Sequence, residues 1–428
     1  MFRARLKKAG ACLLFCLGAA CDGPTTGSEE SVIEIFSWWT GPGEAAALDA
    51  LLAVHQRRFP ESKVINAAAR DSTRARALLK NRMEAGEPPD TFQANVGQDL
   101  LSWVLYNGVD DAETKLEPLD ARRVVGVEWK DVFPEAVLRA AGYADKVYAV
   151  PVDIHRINSL FFNARVLAEH GLAPPSTLGE LYAACAVLRD AGITPIAVGA
   201  SEPWTLSILF FENLLVATAG ADFYQRYFTG QAASAADPHM LAALDQALEL
   251  WRCTNSDARQ ISWDEAVARV HTGEAAMTVM GDWAKGALVQ LGGVPGETFG
   301  QVPFPGTRGS FVFTADTFPL PRGAPSREAA LDLLNTFVSS AGEAAFNPIK
   351  GSIPARTDAD ARVYDPLGQV TLRDFHEDQL YLALSGLAPG AFSTPVNQAL
   401  GEMVDQLDPE PARLALEGYY DVLMAAKH

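Results

Sequence analysis

The chain lacks the short signatures of common catalytic machinery. Its 428 residues contain no Gly-x-Ser-x-Gly elbow, no Gly-x-x-x-x-Gly-Lys loop and no His-Glu-x-x-His pair. A hydrolase nucleophile, a P-loop and a zincin site therefore have no support. None of its five cysteines falls in a Cys-x-x-Cys pair, so a zinc or redox motif is equally unsupported. Positive charge is scarce: 35 Lys and Arg stand against 53 Asp and Glu, a formal net charge of −18. Such a surface repels nucleic acid. No apolar run reaches the about 20 residues that a spanning helix needs.

What is present begins with a leader. MFRARLKKAG carries Arg3, Arg5, Lys7 and Lys8, and the short apolar run ACLLFCLGAA follows. A basic start, a short apolar stretch and small residues before a cut site read as a secretory signal over residues 1–20. Gly18-Ala19-Ala20-Cys21 resembles a lipobox, which makes Cys21 the lipidation candidate. Leu17 lies one step further from the cysteine than the usual pattern has it, and an ordinary signal cut nearby is the alternative. Residues 21–31 read as a polar tether. Only Cys185 and Cys253 then remain, and their spacing does not say whether they pair.

Hydrophobic periodicity organises the rest. Val32–Phe36 reads as a strand, Glu44–Phe59 as a helix, SKVINAA as a strand and Thr73–Ala85 as a helix closed by Gly86. PPDTFQANV reads as one strand with Thr91, Gln93 and Asn95 on one face. VYAVPVDIHRINSLFFN reads as two strands separated by Pro151, and a second α/β run follows it. GSFVFTADTFPLP reads as a further crossing segment, and the last hundred residues are mostly helical. The fold class is α/β with two hinge-connected lobes and a ligand cleft between them. The expected division is residues 32–149 with 311–346 for the N-terminal lobe and 150–310 with 347–428 for the C-terminal lobe.

Trp38-Trp39 ends the first strand just before Gly41-Pro42-Gly43. Neighbouring strand residues face opposite ways, so one indole fills the core and the other stands at the strand end, where α/β folds place ligands. FSWWTGPGEAAALDAL, GEPPDTFQANVGQDL, VYAVPVDIHRINSLFFN, SWDEAVARV, HTGEAAMTVMGDWAKG and FNPIKGSIPAR occur in that order. In this order they resemble the extracellular sugar-binding proteins of ABC transporters, most closely the glucose/mannose-binding branch. The resemblance runs from Ile33 to about Phe392. It implies a type II periplasmic-binding-protein-like fold that closes on a sugar and delivers it to membrane permease subunits.

Carried over residue by residue, the resemblance implies sugar contacts from Trp38, Trp39, Glu44, Thr73, Gln93 and Asn95 of one lobe. Trp263 and Trp283 would wall the other lobe, and His155, Asp316 and Lys350 would supply polar contacts. Histidines expected near Asn95 and Ser385 are missing, which leaves the sugar open. The chemistry agrees. Indoles fit the apolar C–H faces of a pyranose, while carboxylates, amides and an ammonium hold its hydroxyls. Each residue also has a structural alternative: packing for a tryptophan, the helix dipole for Glu44, solvation for Lys350. No metal or cofactor is expected, and a monomer is. The membrane would be met through the lipid at Cys21, on the periplasmic or outer face. A glycoside hydrolase using Glu44 and Asp316 is the enzyme alternative, and a sugar receptor that signals to a membrane sensor is another.

Overall fold

The computed structural model describes residues 31–67, 72–105, 114–232, 234–388 and 390–425. The leader, Cys21 and most of the tether lie outside the described residues. No helix among the described residues is long and apolar enough to cross a membrane.

Two cores form. The first gathers Ile33, Ile35, Leu48, Leu51, Phe92 and Val137 with Phe318, Leu334 and Phe346 from much later in the chain. Its sheet is parallel: the strand Ser31–Phe36 lies between Ser62–Asn66 and Thr91–Phe92. The second core gathers Leu160, Phe161, Ile196, Phe210, Tyr224, Met277 and Leu400. Its sheet is mixed, in the order Thr194–Ala197, Ala275–Val279, Ser159–Asn163, Phe299–Pro303.

The chain passes between the cores more than once. Val152 and Ile154 pack in the first core and Ile157 in the second. The strand Ser310–Thr314 shows the junction in miniature. Its Phe311 and Phe313 enter the first core while Val312 enters the second, as side-chain alternation requires of a strand lying between two lobes. This strand pairs with His155–Arg156 on one side and with Gln379–Leu382 on the other.

Two expected strands are broken. PPDTFQANV is not continuous: Thr91–Phe92 pairs in parallel with the first strand, then Ala94–Asn95 pairs antiparallel with Asp316–Pro321. Gln93 sits at the exchange of partners. Pro151 does not separate two strands but ends Ala149–Pro151, beyond which His155–Arg156 and Ser159–Asn163 follow as separate short strands. A residue without a backbone N–H suits that terminal position.

The lobes touch at both rims of the gap between them. A Cβ placed on Gly43, in the helix Pro42–Arg58, would stand 2.9 Å from the Gly286 carbonyl carbon in the helix Trp283–Gln290. A Cβ on Gly97 would stand 2.4 Å from the Gly386 oxygen. Only glycine permits backbones to come this close. The two lobes are therefore in direct backbone contact at both positions.

Candidate ligand-binding site

Between these rims the ends of several elements converge. The first strand delivers the tryptophan pair. Trp39 is only 1% exposed. Its ring packs on Phe346 and Phe318, with centroids 4.8 and 5.4 Å away. Its Nε1 donates to Asp316 Oδ2 at 3.3 Å. Trp38 is half-buried and lies under the Arg76 guanidinium, 4.3 Å from its ring centroid. Arg76 also holds Asp99 through two nitrogens, at 3.1 and 3.0 Å.

Glu44 has two tasks. It stands at the third position of the helix Pro42–Arg58, and its Oε2 accepts the Gly41 N–H at 3.1 Å, satisfying one unpaired donor at the helix start. Its Oε1 accepts from Lys350 Nζ at 3.3 Å. Lys350 ends the helix Ser340–Lys350 and is buried. Its ammonium lies 5.8 Å from the ring centroids of both Trp39 and Trp283, an arrangement that favours the cation. Burial opposes its charge, but Glu44, Asp316 and Asp153 outweigh that and raise its pKa above the ordinary lysine value.

Gln93 Nε2 donates to Asp316 Oδ1 at 2.8 Å, and its Oε1 accepts from Trp38 N at 3.1 Å. With its amide oriented to satisfy both neighbours, Asn95 donates to Asp316 Oδ1 at 3.1 Å and accepts from Arg76 at 3.2 Å. Thr73 belongs to the helix Ser72–Ala85; its side chain lies outside the described residues.

From the second lobe, Trp283 opens the helix Trp283–Gln290 directly after Asp282. Its ring folds back over Gly281, where a Cβ would collide with it at 2.2 Å. It meets the His155 ring edge-on, at 5.2 Å and 87°, and the Trp204 ring at 6.2 Å. Trp263 opens the helix Trp263–Thr272, whose Ser262–Glu265 capping box fixes its start. Its Cζ2 lies 3.6 Å from where a Cβ on Gly41 of the opposite lobe would be. Both tryptophans are half-buried.

His155 is as deeply enclosed as Trp39 and Gln93. Its Nδ1 meets Asp282 Oδ1 in a short contact, and its Nε2 lies 3.1 Å from Asp153 Oδ2 and 3.5 Å from Asp316 Oδ2. Burial alone would lower its pKa. Asp153 and Asp282 reverse this against the opposing Lys350, and raise it well above the ordinary histidine value. Asp316 moves the other way: burial would raise it, but His155 and Lys350 hold it below the usual aspartate range. Asp153, His155 and Asp316 place donor atoms within 4.8 Å of one another, a spacing that can suit a cation. Here the imidazolium and the Lys350 ammonium already supply positive charge.

The structure thus brings Trp39, Glu44, Gln93, Asn95, His155, Trp283, Asp316 and Lys350 into one connected network. Trp38 and Trp263 lie on its borders. Asp153, Asp282 and Arg76 were missed. Asp153 was within reach, since it is two residues before His155 and so on the same side of an extended stretch. Arg76 gave no local signal.

Two lobes joined by short crossing strands, with aromatic and charged side chains converging between them, define a type II periplasmic binding fold. The chain matches the bacterial extracellular solute-binding protein family over residues 63–369 and belongs to it. It is 32% identical over 404 residues to an uncharacterised ABC transporter extracellular-binding protein of Pyrococcus horikoshii, covering 92% of this chain and 89% of that one. It is also 32% identical over 381 residues to a probable sugar-binding periplasmic protein of Rhizobium meliloti, covering 87% and 88%. A xylose/arabinose-binding protein of Haloferax volcanii is 28% identical, covering 83% and 76%. Among solved structures, a bacterial receptor for β-D-galactopyranose superposes with a TM-score of 0.80 at 17% identity, covering 93% of this chain and 100% of that one. A chitin oligosaccharide binding protein gives the same TM-score and coverage at 20% identity.

Proposed function

We propose that the chain is the receptor of a carbohydrate ABC importer and binds a glucose- or mannose-like monosaccharide, or a small oligosaccharide, between its lobes. One observation carries this reading: indoles, a buried ammonium and a carboxylate share one interlobe network, with Lys350 reaching Glu44, Trp39 and Trp283 while Asp316 is held by Trp39 and Gln93. A pyranose offers flat C–H faces to the rings and hydroxyls that donate and accept to the charged groups. A site built this way rejects an analogue lacking a bonded hydroxyl, because its own buried groups would go unpaired. Several similar proteins are named for sugar binding, which supports the class of ligand.

Trp38, Trp39, Glu44, Thr73, Gln93, Asn95, Trp263, Trp283, Asp316 and Lys350 are the proposed sugar-facing set, with His155 behind it. The proposed lobes are residues 32–149 with 311–346 and 150–310 with 347–428. Closure is a ligand-driven shift between open and closed forms. Lipid on Cys21 would keep the receptor beside its permease. A calorimetric panel of mono- and disaccharides tests the reading. Saturable binding of at least one pyranose supports it; heats of dilution alone across the panel refute it.

A further inference from the structure

We propose that His155 is a positioning residue whose charge orients the ligand-facing groups of both lobes at once, without itself touching the ligand. The inference rests on the sugar-receptor reading for what those groups do.

Asp153, Asp282 and Asp316 come from three separate segments: the crossing stretch, the start of the helix that carries Trp283, and the strand Asp316–Pro321. All three meet the one imidazole. Backbone bonds lock the same groups in place. Asp282 Oδ2 accepts from Arg156 N at 2.9 Å, and the Arg156 carbonyl accepts from Asp282 N at 3.0 Å. Asp153 Oδ1 accepts from Asp316 N at 2.8 Å, and the Asp316 carbonyl accepts from Val152 N at 2.9 Å. Trp283 follows Asp282 directly and rests edge-on against the His155 ring. Turning the imidazole therefore moves the indole wall of one lobe and the carboxylate of the other.

The nature of the contact points to charge. Asp153 Oδ2 and His155 Nε2 are fully buried, 3.1 Å apart, yet neither has a well-aligned hydrogen bond. With no aligned hydrogen bond, the attraction between them is electrostatic and works against the burial that raises the Asp153 pKa above the ordinary aspartate value; a neutral amide of similar size does not supply it. The groups facing His155 are Asp153, Asp282, Asp316 and the Lys350 ammonium. Lys350 is shared with Glu44, and the neighbouring Arg156 is committed to Asp374 and Asp378. Without the imidazolium, three buried carboxylates would share a fraction of one ammonium.

The test uses the sugar that gives the largest heat in the panel, with the full exported chain. Wild-type affinity should be flat from about pH 5.5 to 8, because a histidine raised above its unfolded value keeps its charge through this window and loses it only at higher pH. His155→Gln should bind about ten-fold more weakly or worse at pH 8, and recover in part at pH 5.5 as protons replace the missing charge. Adding Asp153→Asn to that variant should restore affinity at pH 8. Equal affinity of wild type and His155→Gln, or a uniform loss that neither acid nor Asp153→Asn repairs, overturns the proposal. Should His155→Gln fail to fold, Asp153→Asn alone decides. Its histidine has lost an anion and gives up its proton at a lower pH, so its affinity should decline at a lower pH than that of wild type; coincident profiles overturn the proposal. Should wild type bind no sugar, the sugar reading fails separately. The ligand-free unfolding midpoint then decides the charge role, with acidification from pH 8 to 5.5 stabilising His155→Gln more than the double variant that also carries Asp153→Asn, and an equal gain in both overturning it.

Discussion

Replacing Gly43 with alanine should weaken ligand binding although residue 43 touches no ligand. The new methyl would stand 2.9 Å from the Gly286 carbonyl carbon and 3.2 Å from Gly286 O and Ala287 N. These are backbone atoms of a helix in the opposite lobe and cannot rotate aside. Forcing one extra carbon into such a contact costs about 1–3 kcal/mol. The cost falls on the closed form alone. In the open form the helices part, and alanine is the better helix former there by about 1 kcal/mol. Since ligand-driven closure is limited by the difference in affinity between the two forms, the dissociation constant should rise about 5- to 150-fold. Calorimetry measures this directly, with the unliganded unfolding midpoint as the control for folding. Small-angle scattering should show the variant less compact than wild type at the same sub-saturating sugar concentration. An unchanged affinity with an unchanged midpoint would refute the reasoning, because it would mean that binding does not need the lobes to meet at Gly286.

Other outcomes follow from the same network. Trp283→Ala should cost about 1–3 kcal/mol of binding free energy, the scale of a buried aromatic anchor, and calorimetry on a variant of normal midpoint checks it. Lys350→Met removes the ammonium between Glu44 and Asp316, leaving buried carboxylates without their partner. It should lower folding stability by about 3–5 kcal/mol in urea denaturation. His55 is held neutral between Thr336 and Ser62, with burial bringing its pKa down to about 4. The unfolded chain then binds the extra proton first, so stability should fall as pH drops from about 6.5 towards 4, by roughly 3 kcal/mol from this group. His55→Asn should remove that part of the pH dependence.

Local pattern was sufficient wherever an element is fixed by its own residues. The helix Pro238–Trp251 runs from the Asp237 cap to its last apolar residue. The helix Trp263–Thr272 is bounded by a capping box and a left-handed Gly273. Reading failed where a distant partner decides. Nothing between Pro88 and Val96 announces that the chain leaves one strand and joins another, since Asp316–Pro321 lies more than two hundred residues further on. The site shows the same division. Trp38-Trp39, Glu44 and the Gly281-Asp282-Trp283 turn are conspicuous because they sit at strand ends and helix starts. Which of the two indoles is enclosed depends on Phe318 and Phe346, so the sequence left it open. His155 reads as a polar group free to meet a ligand until Asp282 and Asp153 are seen to face its two ring nitrogens.

The measurement that bears most directly on a sugar held between the lobes is a crystal structure grown with the best-binding saccharide of the panel. The account predicts the ring against Trp283, its hydroxyls within hydrogen-bond reach of Asp316 and Lys350, and Trp38 or Trp263 at its edge. Saccharide bound outside the interlobe gap, or a gap in which Trp283 and Asp316 make no contact with it, would contradict the account.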